Sequence, residues 1–193
     1  MGACVGNCKS SIVPTTWIPY TRIAPGFRCC GRRSGMAKYR RASACGGKFF
    51  FTVVTFKRRP ILDQFESRLA LREVIEDVRK RYPFSIDAWV LLPDHVHCIW
   101  TLPDGVSDFS LRWSLIKSGF SKRTKALLKV EEWMNDSRIK HRESTIWQRR
   151  FWEHQVRDED EYRVYMDYIH YNPVKHGYVK RVLDWPYSIF IVL

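Results

Sequence analysis

The chain has 193 residues, 45% of them hydrophobic and 15% aromatic, which is enough for one well-buried core. Its 33 basic residues against 20 acidic ones leave a formal charge of +13, the balance expected of a protein with a polyanionic partner. No apolar run reaches the roughly 18 residues that span a bilayer, and no long amphipathic basic helix stands out, so no membrane partner is expected.

Residues 1–35 contain no Asp or Glu, carry Lys9, Arg22, Arg28, Arg32 and Arg33, and are dotted with Gly, Pro, Ser and Cys. Neither a helical nor a strand period runs through them, and the pattern of a secretory signal is missing. Met36 follows directly. Residues 1–35 therefore read as a disordered extension or a mis-assigned start, and residues 36–193 as a single domain that keeps +8 of the +13 after the +5 of the leading segment is removed. Of the six cysteines, Cys4, Cys8, Cys29 and Cys30 match no standard zinc spacing. Cys98 lies on an apolar strand face, where a buried reduced thiol is expected, and the compartment is read as the cytoplasm.

Globular sequence opens at Lys38-Tyr39-Arg40-Arg41 and passes through Gly46-Gly47 into residues 48–56, a β-branched and aromatic strand ended by Lys57-Arg58-Arg59-Pro60. Residues 64–81 place Phe65, Leu69, Leu71, Val74, Ile75 and Val78 largely on one helical stripe. Residues 84–92 form a second strand, Pro93-Asp94 a tight turn, and residues 95–101 a third strand paired with the second. A second helix covers 107–129, a polar loop 130–145, and a fourth strand with its approach 146–157. The order β-α-β-β-α-β predicts an α+β, ferredoxin-like antiparallel sheet with both helices on one face and the other face open to a ligand. A further helix begins at Asp158-Glu159-Asp160-Glu161, with Asp158 as N-cap and Glu161 three residues on. Tyr162, Tyr165, Met166 and Ile169 form its core stripe, and Pro173 is expected to end it near Asn172.

Period two puts His95 and His97 on the same strand face, a pair of metal ligands if a third oxygen or nitrogen arrives from elsewhere. Two imidazoles hydrogen-bonding at a surface are the alternative. Tyr168 sits about 100° from the stripe of its helix, as either a boundary tyrosine or a functional one. Asn172 is one turn beyond it and would equally serve as a C-terminal cap. His154 fits a place near the site or a role in strand packing.

Three blocks carry a resemblance: Pro93-Asp94-His95-Val96-His97; Trp147-Gln148-Arg149-Arg150-Phe151-Trp152-Glu153-His154; and residues 167–177, Asp-Tyr-Ile-His-Tyr-Asn-Pro-Val-Lys-His-Gly. They resemble the signature blocks of the REP-associated tyrosine transposases, relatives of the HUH single-strand transposases. Tyr39-Arg40-Arg41, Gly46-Gly47 and Asp184-Trp185-Pro186-Tyr187-Ser188 are similar to that family too, and the match spans residues 36–190. The resemblance implies that residues 36–193 are an HUH transposase-like catalytic domain. It also implies that His95, His97 and Asn172 bind Mg²⁺ or Mn²⁺, and that Tyr168 attacks a phosphodiester of single-stranded DNA to give a 5′-phosphotyrosine link and a free 3′-hydroxyl. Lys38, Tyr39, Arg40, Arg41, Gly46, Gly47, Arg149, Arg150 and Lys175 would contact DNA. The implied partner is single-stranded or hairpin DNA, not a small-molecule substrate. Monomer and homodimer stay undecided.

A free tyrosine titrates near 10, so phenolate at pH 7 costs about 4 kcal/mol, and a nearby positive centre is needed. A covalent link conserves the energy of the diester for rejoining. Rival readings are an inactive hairpin DNA- or RNA-binding module of RRM type, and a metal-dependent hydrolase that forms no adduct.

Overall fold

A computed structural model describes residues 46–141 and 143–190, the last two of these by backbone alone. The expectations for residues 1–35, for their cysteines, and for Lys38, Tyr39, Arg40 and Arg41 lie outside the described residues. In chain order the elements are β1 (Gly47–Val54), α1 (Phe65–Arg81), β2 (Ser85–Leu92), β3 (His95–Leu102), α2 (Phe109–Arg123), α3 (Lys125–Leu128), α4 (Asp136–Lys140), β4 (Trp152–Gln155), α5 (Glu159–Lys175) and β5 (Ser188–Phe190). The sheet runs β4-β1-β3-β2-β5 with every neighbouring pair antiparallel. Its first four strands have the ferredoxin-like arrangement, and the α+β expectation holds.

Alternation along the strands sorts side chains into two cores. Phe49, Phe51 and Val53 of β1, with Val96, Cys98 and Trp100 of β3, are buried on the side of α1 and α2. There Trp100 stacks on Trp113 of α2 with ring centres 4.3 Å apart. Gly119 lets α1 and α2 approach closely, because a Cβ on it would stand 2.8 Å from Val74 Cγ1. Phe50, Ala88, Val90, Leu92 and Ile99 point the other way and pack against Tyr162, Tyr165, Met166, Tyr168 and Ile169.

That second core overturns the expectation of an open sheet face. The apolar stripe of α5 needs cover, and the face of the sheet away from α1 and α2 supplies it. An RRM-like platform of exposed strands is thereby closed, and His95 and His97 end up under a helix.

Other boundaries move too. The second helix stops at Arg123, where Thr124 caps its end by donating its hydroxyl to the Phe120 carbonyl at 2.8 Å, and α3 follows as a single turn. The polar loop contains α4, capped by Asn135. The fourth strand is only Trp152–Gln155, preceded by one bridge between Thr55 and Trp147. Helix α5 runs past Pro173 to Lys175. Proline removes one N–H, yet the next turn closes through His176 N–H to the Asn172 carbonyl and Tyr178 N–H to the Pro173 carbonyl. Gly177, at φ 74, provides the left-handed residue that ends the helix. Strand β5 pairs with the edge of β2 and had no sequence-level prediction, being three residues long.

Candidate active site

The β2–β3 turn delivers both histidines to one place. His95 and His97 have ring centres 4.8 Å apart and are only 4% and 3% exposed. Each Nδ1 already has a partner: Asp94 Oδ1 at 2.5 Å for His95, and Thr52 Oγ1 at 2.8 Å for His97. Thr52 lies directly across from His97 in the β1–β3 register. With Nδ1 so engaged, the Nε2 atoms are the ones left to face a ligand. Burial, then the charges of His95, His176, Lys175 and Arg58, hold His97 well below the usual histidine range, so it is neutral near pH 7.

Asp94 is itself held in place. Its Oδ2 accepts from Arg58 at 2.9 Å, and its carbonyl accepts from the Thr55 hydroxyl and the Thr55 N–H, each at 2.9 Å. Burial opposes its ionisation, but the His95 hydrogen bond and the nearby Arg58 outweigh that and keep the carboxyl at about 2. Lys57 and Arg58 are in the left-handed region at φ 56 and φ 51, a conformation costing of order 1–3 kcal/mol for a non-glycine residue.

Helix α5 lays Tyr168, Asn172 and His176 one turn apart along this pair. The Tyr168 ring meets His97 edge-on at 5.1 Å, and the His176 ring meets His95 at 5.5 Å. Asn172 is bracketed between them and wholly buried, with neither amide atom hydrogen-bonded. Lys175 Nζ stands 5.1 Å from the centre of the Tyr168 ring. The α5 N-terminus is pinned by Asp158, which accepts the Glu161 N–H at 2.8 Å, while Glu161 accepts from Arg157 and from His154 Nε2. His154 therefore braces β4 against α5.

Among the sequence-predicted residues, His95, His97, Tyr168, Asn172 and Lys175 converge. Gly46 and Gly47 do not. They sit at the far end of β1, opposite Leu102, roughly 24 Å along the strand from the position facing His95. Gly46, at φ 81, serves its backbone: a Cβ would stand 3.1 Å from Asp104 Cα. Arg149 and Arg150 are exposed, and Arg149 pairs with Glu143 at 3.0 Å.

Thr52 and His176 were missed, and the hold of Arg58 on Asp94 was not foreseen. His176 had a detectable signal, being one turn beyond Asn172. Thr52 had none, because strand register is invisible until the sheet is assembled. Among the described residues no group of three or more His, Cys, Asp or Glu is arranged to hold a metal ion.

Against known proteins, the family model described as "Transposase IS200 like" matches residues 46–172. The chain is 45% identical over 155 residues to the REP-associated tyrosine transposase of Escherichia coli, covering 80% of this chain and 83% of that one. A Haemophilus influenzae relative of the same type is 44% identical over 158 residues, covering 80% and 86%. A solved REP-associated tyrosine transposase bound to a REP hairpin superposes with a TM-score of 0.67 at 44% identity, over 80% of this chain and 83% of that one. The family model spans both histidines, Tyr168 and Asn172, and the chain belongs to the IS200-like transposase family, on its REP-associated tyrosine branch.

Proposed function

We propose that this chain cuts and rejoins single-stranded DNA at hairpins of REP type, with Tyr168 as nucleophile and a divalent metal, Mg²⁺ or Mn²⁺, held by His95, His97 and Asn172. The observation carrying this reading is Asn172: a fully buried amide with no hydrogen-bond partner, one turn from Tyr168 and bracketed against two imidazoles whose Nδ1 atoms are already engaged. A buried polar group left unpaired costs about 1–3 kcal/mol, and a ligand recovers it. Two neutral imidazoles and an amide suit a cation that must stay strongly positive, since none of them cancels its charge. Such an ion would polarise the scissile phosphate and neutralise charge as the transition state forms.

The chain's own residues do the rest. Phe50 and His97 grip the Tyr168 ring, with Phe50 meeting it at 5.9 Å, so the phenol is held in a fixed direction. Lys175 places a positive charge over that ring. The phenol oxygen bonds to phosphorus, the bond from phosphorus to the 3′ oxygen breaks, and the phenol's proton is balanced by the one the leaving 3′-hydroxyl takes up. The product is a 5′-phosphotyrosine that a new 3′-hydroxyl reverses without ATP. Tyr165 is a poor rival, because burial and then Glu161 push its phenol up to about 12. Arg149 and Arg150, with Lys38, Tyr39, Arg40 and Arg41, are assigned as DNA contacts on positive charge and on the resemblance of their sequence blocks. Action on chromosomal DNA in the cytoplasm fits Cys98 as a buried free thiol.

The test is incubation with Mg²⁺ and single-stranded hairpins from repeats of the source genome, followed by a denaturing gel. Wild type forms a covalent adduct and Tyr168→Phe does not, whereas Tyr171→Phe, altering an exposed ring, keeps it. An adduct that survives in Tyr168→Phe refutes the assignment.

A further inference from the structure

The turn after β1 sends cations in two directions. Arg58 reaches inward to Asp94, while Lys57 Nζ lies 4.2 Å from the centre of the Trp133 ring. The Arg59 guanidinium is 5.2 Å from that same ring, and the Arg138 guanidinium 3.8 Å from Phe56. Phe56 and Trp133 touch edge to face at 5.9 Å. Three positive groups thus share one pair of rings.

Among the described residues none of the three is paired with a carboxylate. Arg59 donates to the Leu128 carbonyl at 2.7 Å and Arg138 to the Ser144 carbonyl at 2.6 Å. Glu131, two residues before Trp133, is taken by Lys129 at 2.5 Å. Ring faces offset only part of the mutual repulsion of gathered cations, and an anion completes the arrangement. Left-handed geometry at Lys57 and Arg58, which an ordinary loop would avoid, is what turns one cation toward the histidines and the other toward Trp133.

We propose that Lys57, Arg59 and Arg138, gathered on Phe56 and Trp133, clamp the phosphates of a single-stranded DNA segment running to or from the active site. The proposal rests on the single-strand transposase reading above. Continuity carries it: Lys57 and Arg58 are adjacent, and Arg58 is one residue, through Asp94, from His95. A flexible strand can bring phosphates to so compact a patch while its bases turn to aromatic surface, which a stiff duplex cannot do as readily.

The experiment measures fluorescence anisotropy of a labelled 15-nucleotide oligo(dT) against salt, for wild type, Lys57→Gly, Arg138→Gln and the double variant. Each phosphate contact on a single strand contributes about 0.7 to the log–log slope, so the double variant should lose about 1.4 of slope. Glycine is at ease at positive φ, so Lys57→Gly should melt within a degree or so of wild type or above it while binding more weakly. Weaker binding at an undiminished melting temperature is the signature of a contact rather than a scaffold. An unchanged slope in the double variant, with wild type binding normally, overturns the clamp alone. Weakening that appears only with a melting loss of many degrees in both single variants also overturns it. Failure of wild type to bind oligo(dT) at all brings down the single-strand reading and the clamp with it.

Discussion

Replacing Asn172 by leucine should make the metal-free protein more stable, the reverse of what most buried substitutions do. The Asn172 side chain is fully enclosed and its oxygen and nitrogen have no hydrogen-bond partners. Leaving such a group unpaired costs about 1–3 kcal/mol, and leucine is of similar size and carries no polar atom. A gain of about 2 kcal/mol in a chain of this length raises the melting temperature by roughly 4–8 °C in EDTA. Metal changes the ranking. An ion at 100 times its dissociation constant adds about 2.7 kcal/mol to the wild type and nothing to a variant that lacks the amide ligand. Melting curves in EDTA and in a Mn²⁺ or Mg²⁺ series, with calorimetric titration of the ion, therefore yield two curves that approach and cross. Destabilisation of Asn172→Leu in EDTA would show that the amide is satisfied in the folded protein. An equal metal-induced shift in both proteins would show that Asn172 is not a ligand.

His95→Ala or His97→Ala should abolish adduct formation while hairpin binding persists within a fewfold, since the cationic residues are spread over the fold; equal loss of both in a gel-shift and cleavage assay would make the histidines structural. Glu161→Gln should remove a component of acid stability. Burial opposes the charge of Glu161, but Arg157 and then His154 lower its carboxyl from 4.5 to about 2, so its contribution is present above pH 4.5 and is lost as the pH falls toward 2. The gap in melting temperature between wild type and variant should therefore close over that window, and a gap of constant size refutes the pairing. A chain starting at Met36 should match the full chain in melting temperature and oligo(dT) affinity, because the family model matches only from residue 46 onward; a drop of several degrees would refute this.

How much of this was legible beforehand follows from which interactions are local. The period-two alternation of His95-Val96-His97-Cys98 already separated the face carrying both histidines from the face buried under α1 and α2, because a strand offers only two faces. Helical spacing alone set Asn172 one turn from Tyr168, and Asp158 with Glu161 marked the start of α5. Such features depend on residues a few positions apart. What α5 covers was not legible: its stripe demanded an apolar surface, but both sheet faces were apolar candidates, and only assembly brought it over Phe50, His95 and His97. Pairing Thr52 with His97, and Arg58 with Asp94, needed the β1–β3 register and the fold of the turn after β1, contacts between residues 36 to 45 positions apart. Pro173 misled because its missing N–H argues locally for a stop, while Gly177 and the carbonyls of Asn172 and Pro173 close one more turn. That extra turn brings Lys175 over Tyr168 and His176 against His95, so the surroundings of Tyr168 were decided by a helix end that tertiary structure, not the proline, set.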